Sequence, residues 1–159
     1  MSIALCRIDD RLIHGQVVVG WGTPLGVDRI VLVDEDVSRH EWEQQIYRMA
    51  LPPRVAVEFA APADAARRLA QWAESDETVF VLTGDVPTMV DLVRASDHRL
   101  TRINLGGIHA GTNRRELLRY LYLSDEELDA LRGLEATGVS VTAQDLPTAA
   151  AVPLRNLDR

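Results

Sequence analysis

The run Arg7-Ile8-Asp9-Asp10-Arg11-Leu12-Ile13-His14-Gly15-Gln16-Val17 concentrates the chemistry of this chain. Imidazole is a good nucleophile near neutral pH. The arginine ahead of the histidine, Arg11, offers a planar fork that neutralises phosphate oxygens. The first free N–H groups of a helix starting near Gly15 and Gln16 could hold the rest of an anion. These residue types in this order suit a histidine, His14, that accepts a phosphoryl group. His14 must be neutral to attack, so nearby acids must not hold a proton on it. Asp9 and Asp10 are therefore expected to be occupied by Arg7, Arg11 or backbone donors.

Those residues need a strand and a helix to position them. Ile3 to Ile8 reads as a buried strand that ends at the two acids. A strand-to-helix turn of this kind is where open α/β sheets keep their ligand sites. Further strands are expected at Arg29–Asp34, Arg54–Ala60, Thr78–Thr83, Arg102–Leu105 and Val139–Ala143, the last closing the sheet. Ser38 with Glu41, and Ser124 with Glu127, have capping-box spacing; the first predicts a helix to about Leu51, stopped by Pro52-Pro53. Pro62 opens a helix through Trp72, Pro87 opens one through about Ala95, and Gly138 ends the one that follows Ser124. Val17-Val18-Val19 is read as helix despite its β-branching. Glu116 to Leu123 fits a helix or an edge strand. Strands alternating with helices give a single open, mostly parallel twisted sheet, an α/β fold with helices on both faces. Its carboxyl edge then collects Asp9 to His14, Asp34-Glu35-Asp36, Thr83-Gly84-Asp85 and Asn104 to Gly107.

Composition narrows the class. With 159 residues the chain suits one domain with a sizeable core. The formal net charge of -7 argues against a nucleic-acid or anionic-membrane surface. No apolar run approaches a membrane span, and the first residues lack a signal-peptide pattern, so a cytoplasmic location is expected. The lone Cys6 lies in an apolar run and is read as packing. No GxGxxG or P-loop is present, and the acids around His14 match no strong metal-ligand spacing, so neither a nucleotide cofactor nor a metal is expected. His40 reads as solvated and His98 as a connector residue. His109 follows Gly106-Gly107 on the active edge, where it is either an ordinary loop residue or part of the site. Trp21, Trp42 and Trp72 are expected in the core, and Arg114-Arg115 as exposed charge. Trp21 alone is near enough to His14 to serve an interface.

The run at residues 7–17 closely resembles the active-site signature of the enzyme IIB component of the mannose/fructose/sorbose class of the sugar phosphotransferase system. Leu51-Pro52-Pro53, Asn104-Leu105-Gly106-Gly107-Ile108 and the segment Ser124 through Gly138 are similar to further landmarks of that family, in the same order. The resemblance implies a IIB phosphocarrier domain over residues 1–159. It implies that His14 takes phosphate from a IIA phosphohistidine and passes it to a sugar bound in the membrane components IIC and IID. It assigns Arg11 to stabilising the phosphoryl group and Asp9 to organising the loop, with Asp10, Gly15 and Gln16 completing a phosphate-binding loop. It also makes the segment after Gly111 a strand rather than a helix, and the sheet is expected to carry an antiparallel edge strand.

Transfer between two imidazoles requires His14 on a shallow, accessible surface. Ile13, Trp21, Gly84, Gly107 and His109 are its expected rim, with Arg7 and Arg11 supplying positive charge. Such a protein would meet the membrane peripherally, and a homo-oligomer stays open. Two other readings use the same residues: a regulatory phosphoprotein without a permease, and a module that binds an anionic metabolite without a covalent step.

Overall fold

The computed structural model describes residues 3–157. β1 (Ile3–Ile8) runs into the loop that carries Asp9 to Gly15. A π-helical segment, Gln16–Gly22, and the single turn α1 (Thr23–Leu25) follow, then β2 (Arg29–Val33), α2 (Glu41–Met49) and β3 (Ala56–Ala60). Next come α3 (Pro62–Glu74), β4 (Val79–Thr83), α4 (Val86–Ala95) and β5 (Arg102–Leu105). The chain continues through β6 (Arg114–Leu118), β7 (Leu121–Ser124), α5 (Asp125–Ala136), β8 (Ser140–Ala143) and β9 (Val152–Pro153).

The seven-stranded sheet has the order β3-β2-β4-β1-β5-β8-β9 and is parallel except for β9. From β1 the chain winds first towards β2 and β3, and later towards β5 and β8. The loop after β1 therefore sits where the winding reverses, the crevice in which doubly wound sheets place ligands. The register makes that crevice level. Ile8 pairs with Thr83 of β4 and with Leu105 of β5, so Asp9, Gly84 and Gly106 leave the sheet side by side.

Each sheet face has its own core. On one, Ala65, Leu69 and Trp72 of α3, with the apolar faces of α4 and α5, cover Ile8, Val31, Val81 and Ile103. On the other, Val17, Val18 and Trp21 of the π-helical segment cover Ile30, Leu32, Phe80 and Leu82. Three consecutive β-branched valines crowd a tight α-turn, and the segment takes the wider i→i+5 form.

Three expectations are corrected. The Ser38–Glu41 capping box does not form: the Asp34 carboxylate accepts from Val37 N–H, and Ser38 hydroxyl donates to the Glu35 carbonyl. A separate turn at Val37–Arg39 results, and α2 starts only after the extended His40. The segment after Gly111 is strand rather than helix, as expected, but it forms a hairpin, β6–β7, outside the main sheet and not at its edge. It is tethered through Ile108, whose N–H and carbonyl bond the backbone of Tyr120 and Tyr122. The antiparallel edge strand is β9, so β8 does not close the sheet. The capping box at Ser124 and Glu127 forms in both directions, and Gly138 ends the helix with a positive φ of 98°.

Candidate functional site

Asp9 is the hub of the loop after β1. It is fully buried and meets two arginines of opposite character. Arg7, also fully buried, reaches it through Nη2 at 3.3 Å. Arg11, with a side chain 31% exposed, donates from Nε to Oδ1 at 2.9 Å and from Nη2 to Oδ2 at 2.8 Å. The Arg11 backbone N–H adds a third contact to Oδ1, at 3.2 Å. Burial alone would raise the Asp9 carboxyl. Contacts from His14 and Arg11 and the charges of Arg7 and Arg11 more than reverse that, holding Asp9 far below the usual carboxylate range. The expectation that arginines and backbone donors occupy Asp9 holds.

Arg7 is part of the floor. Its Nη1 donates to Asn104 Oδ1 and, at 2.8 Å, to the Gln144 carbonyl. Nη2 donates to the Asp145 carbonyl at 3.1 Å. Its guanidinium carbon stacks 4.7 Å from the centroid of the Trp21 ring, whose Nε1–H also donates to the Asp145 carbonyl. Gly106 is the residue that admits this assembly. A Cβ there would lie 2.4 Å from Arg7 Nη2 and 2.7 Å from Asp9 Oδ2.

His14 stands over the hub. Its side chain is 22% exposed, and its Nε2 is buried 3.7 Å from Asp9 Oδ1. Leu12 gives the turn its shape, with a left-handed φ of 61° that a non-glycine residue adopts at a cost. A Cβ at Gly84 would come within 2.9 Å of the Leu12 side chain, and one at Gly107 within 3.1 Å of Arg11 Nε. These two glycines let the neighbouring strand ends approach the loop. Asp10 turns away from His14. Its carboxylate accepts from the His109 N–H and contacts His109 Nδ1, both at 2.7 Å, and Arg114 Nη1 donates to the His109 carbonyl at 3.1 Å. Gly15 is exposed at the helix start, and the side chain of Gln16 lies outside the described residues.

The site thus joins Asp9, Asp10, Arg11, His14, Gly84, Gly107 and His109. It removes three expected rim groups. Ile13 and Trp21 are buried, Ile13 in the helix-side core and Trp21 against Arg7, and Arg7 lends its charge inward rather than to the surface. Arg114 is paired with Glu127 rather than simply solvated. Burial pushes the Cys6 thiol up to about 12, so it stays protonated, in line with a packing role. Asn104 was open to detection as a polar residue inside an apolar strand. Gln144 and Asp145 bind Arg7 through main-chain carbonyls and leave no side-chain signal in the sequence.

The profile of the family described as "PTS system sorbose subfamily IIB component" matches residues 3–158. The chain belongs to this family. It is 31% identical over 157 residues to a sorbose-specific EIIB component of Klebsiella pneumoniae, covering 99% of this chain and 93% of that one. The crystal structure of the IIBSor domain of the sorbose permease from Klebsiella pneumoniae superposes with a TM-score of 0.89 at 29% identity, covering 99% and 96% of the two chains. A mannose-specific EIIAB component of Escherichia coli (strain K12) is 27% identical over 148 residues, covering 93% of this chain and 46% of that longer protein. As a IIB component, this protein is a phosphocarrier of the sugar phosphotransferase system.

Proposed function

We propose that residues 1–159 form a single IIB domain in which His14 accepts the phosphoryl group from a IIA phosphohistidine. The observation that carries this reading is the approach of buried His14 Nε2 to Asp9 Oδ1 at 3.7 Å. A carboxylate on that side favours the tautomer with its proton on Nε2. The attacking lone pair is then on Nδ1. Asp9 also takes the Nε–Nη2 edge of Arg11 and so fixes the orientation of a guanidinium that would neutralise phosphoryl charge. Backbone N–H groups from Gly15 onward, at the helix start, supply further donors.

The transfer forms a bond between His14 Nδ1 and phosphorus as the bond to the donor imidazole breaks. Passing the group to the sugar hydroxyl reverses the roles: the P–N bond breaks, the P–O bond forms, and the hydroxyl proton passes to the imidazole nitrogen set free or to water. The protein's contribution is positioning and charge neutralisation. The EIIAB relative supports IIA as the donor partner, because there the A and B functions share one chain. Relatives named for sorbose, fructose and mannose support a shared phosphotransfer role in which membrane components IIC and IID hold the sugar. No described helix is long and apolar enough to cross a membrane, which supports peripheral work at such components from the cytoplasm.

A non-covalent metabolite site is less well supported. A cleft of about 440 Å³ on the sheet face is lined by Trp21, Asn104, Thr142 and Gln144, and neither His14 nor Arg11 lines it. Incubation with phosphoenolpyruvate, the general phosphocarriers and a IIA domain tests the proposal. An acid-labile phosphate should appear on the protein and be absent from His14→Ala. Label retained in that variant would refute it.

A further inference from the structure

The two helical layers differ in what they leave uncovered. α3, α4 and α5 bury their large apolar side chains. On the other face, α2 has no buried residue at all. Trp42, Ile46 and Met49, at i, i+4 and i+7, form one stripe that is 66%, 53% and 84% exposed. Trp42 thereby departs from the core position expected for it. Glu43, Gln44 and Tyr47 are half-buried and face the protein, with Tyr47 against Phe59 and Gln44 Nε2 donating to the Val37 carbonyl. The stripe is therefore presented outward by a helix that is anchored on its other side. An apolar strip of this kind marks a binding surface.

The charges beside it indicate the occupant. Glu41, Gln45 and Arg48 are exposed on the flank of the stripe, where the Arg48 guanidinium rests 5.1 Å from the centroid of the Phe59 ring. A two-fold axis keeps that flank on the same side of both helices when two copies of α2 pack antiparallel. With the axis between Gln45 and Ile46, Trp42 lies level with the partner's Met49. Glu41 then lies about two residues' rise, roughly 3 Å along the axis, from the partner's Arg48, and the contact occurs twice. Antiparallel packing also sets each helix's positive end beside the other's negative end.

We propose that the exposed face of α2 is a two-fold interface between two copies of this chain. A nine-residue helix offers less than the roughly 1,200 Å² of a standard interface, so the dimer is weak and concentration-dependent. The proposal is independent of the His14 reading.

Sedimentation of the full chain from micromolar to millimolar concentration tests it. The mass should rise from 17.6 kDa towards twice that value. Trp42→Glu and Met49→Glu should each hold the chain at the monomer mass, with circular dichroism unchanged. Glu41→Arg and Arg48→Glu should each weaken association several-fold, and the double variant should regain it, because the pair is merely exchanged. A monomer at every concentration, even one that binds phosphatidylcholine vesicles through Trp42, would overturn the proposal. So would a dimer that survives Trp42→Glu, or a double variant no better than the singles.

Discussion

Arg7 and Arg11 both contact Asp9, yet they belong to different regions of the molecule. Arg7 lies in a buried floor of Trp21, Asn104, Gly106 and two main-chain carbonyls. Arg11 lies in a partly exposed rim with His14, Gly107 and the Asp10–His109 pair. One carboxylate thus serves as the underside of the site and as the support of its reactive edge. An identical ion-pair chemistry is enclosed in one place and partly exposed beside His14 in the other.

Arg7→Met breaks the floor and should give the largest effect on stability. Removing one partner of a buried, hydrogen-bonded ion pair costs about 3–5 kcal/mol. Arg11→Met, at a side chain 31% exposed, should cost about 1 kcal/mol. Urea unfolding of both variants measures the contrast, and equal losses would erase the distinction between floor and rim.

Gly106→Ala approaches the same floor from the other side. A new Cβ 2.4 Å from Arg7 Nη2 leaves no room without moving the buried pair. Overpacking of this kind costs about 1–3 kcal/mol, and the melting temperature should fall by roughly 2–12 °C.

Acid sharpens the comparison in one direction. The Asp9 carboxyl is depressed in the folded state, so it contributes stability that is complete above the ordinary carboxylate range. That contribution is lost progressively as pH falls below about 4, towards the lower folded value. Asp9→Asn should flatten the acid limb of the stability profile. An unchanged limb would show that Asp9 is not held as an anion.

At the rim, Arg11→Lys keeps the charge and loses the fork. Losing a charge-assisted contact worth about 1.5–3 kcal/mol should slow phosphoryl transfer roughly tenfold or more, with the melting temperature nearly unchanged. The smallest effect is expected at His109. His109→Ala removes the ring contact to Asp10 while keeping the main-chain one, and should raise the KM for the phosphorylated IIA domain about two- to threefold, an effect within 1 kcal/mol. A loss in kcat instead would place His109 in direct contact with the phosphoryl group.

The rim was more legible in the sequence than the floor. His14, Arg11 and Asp9 stand together in one run, and the strand before them is a plain apolar stretch. The floor is assembled from residues about a hundred or more positions away, Asn104 at the end of β5 and the carbonyls after β8. Main-chain acceptors carry no residue-type signal, so nothing in Gln144 or Asp145 announced them. Arg7 misled because charge is usually exposed, and here Asp9, Asn104 and the carbonyls after β8 accept from its two terminal nitrogens, while Nε is buried without a hydrogen-bond partner among the described residues. Trp21 lies in the core, its default reading, and not at the rim; Trp42 lies outside the core. Trp21 is drawn in by stacking on Arg7, whereas Trp42 is carried outward by a helix whose anchoring side is Glu43, Gln44 and Tyr47. The antiparallel edge strand could not be placed because the two-residue β9 is too short to read.

Nuclear magnetic resonance of the ring-¹⁵N-labelled histidines, before and after phosphorylation by a IIA domain, tests the central claim most directly. Four histidines are present: His14, His40, His98 and His109. The His14 ring alone should change, with phosphorus coupled to Nδ1 and a proton kept on Nε2 towards Asp9. Phosphorus on Nε2, or on any of the other three rings, would contradict the account.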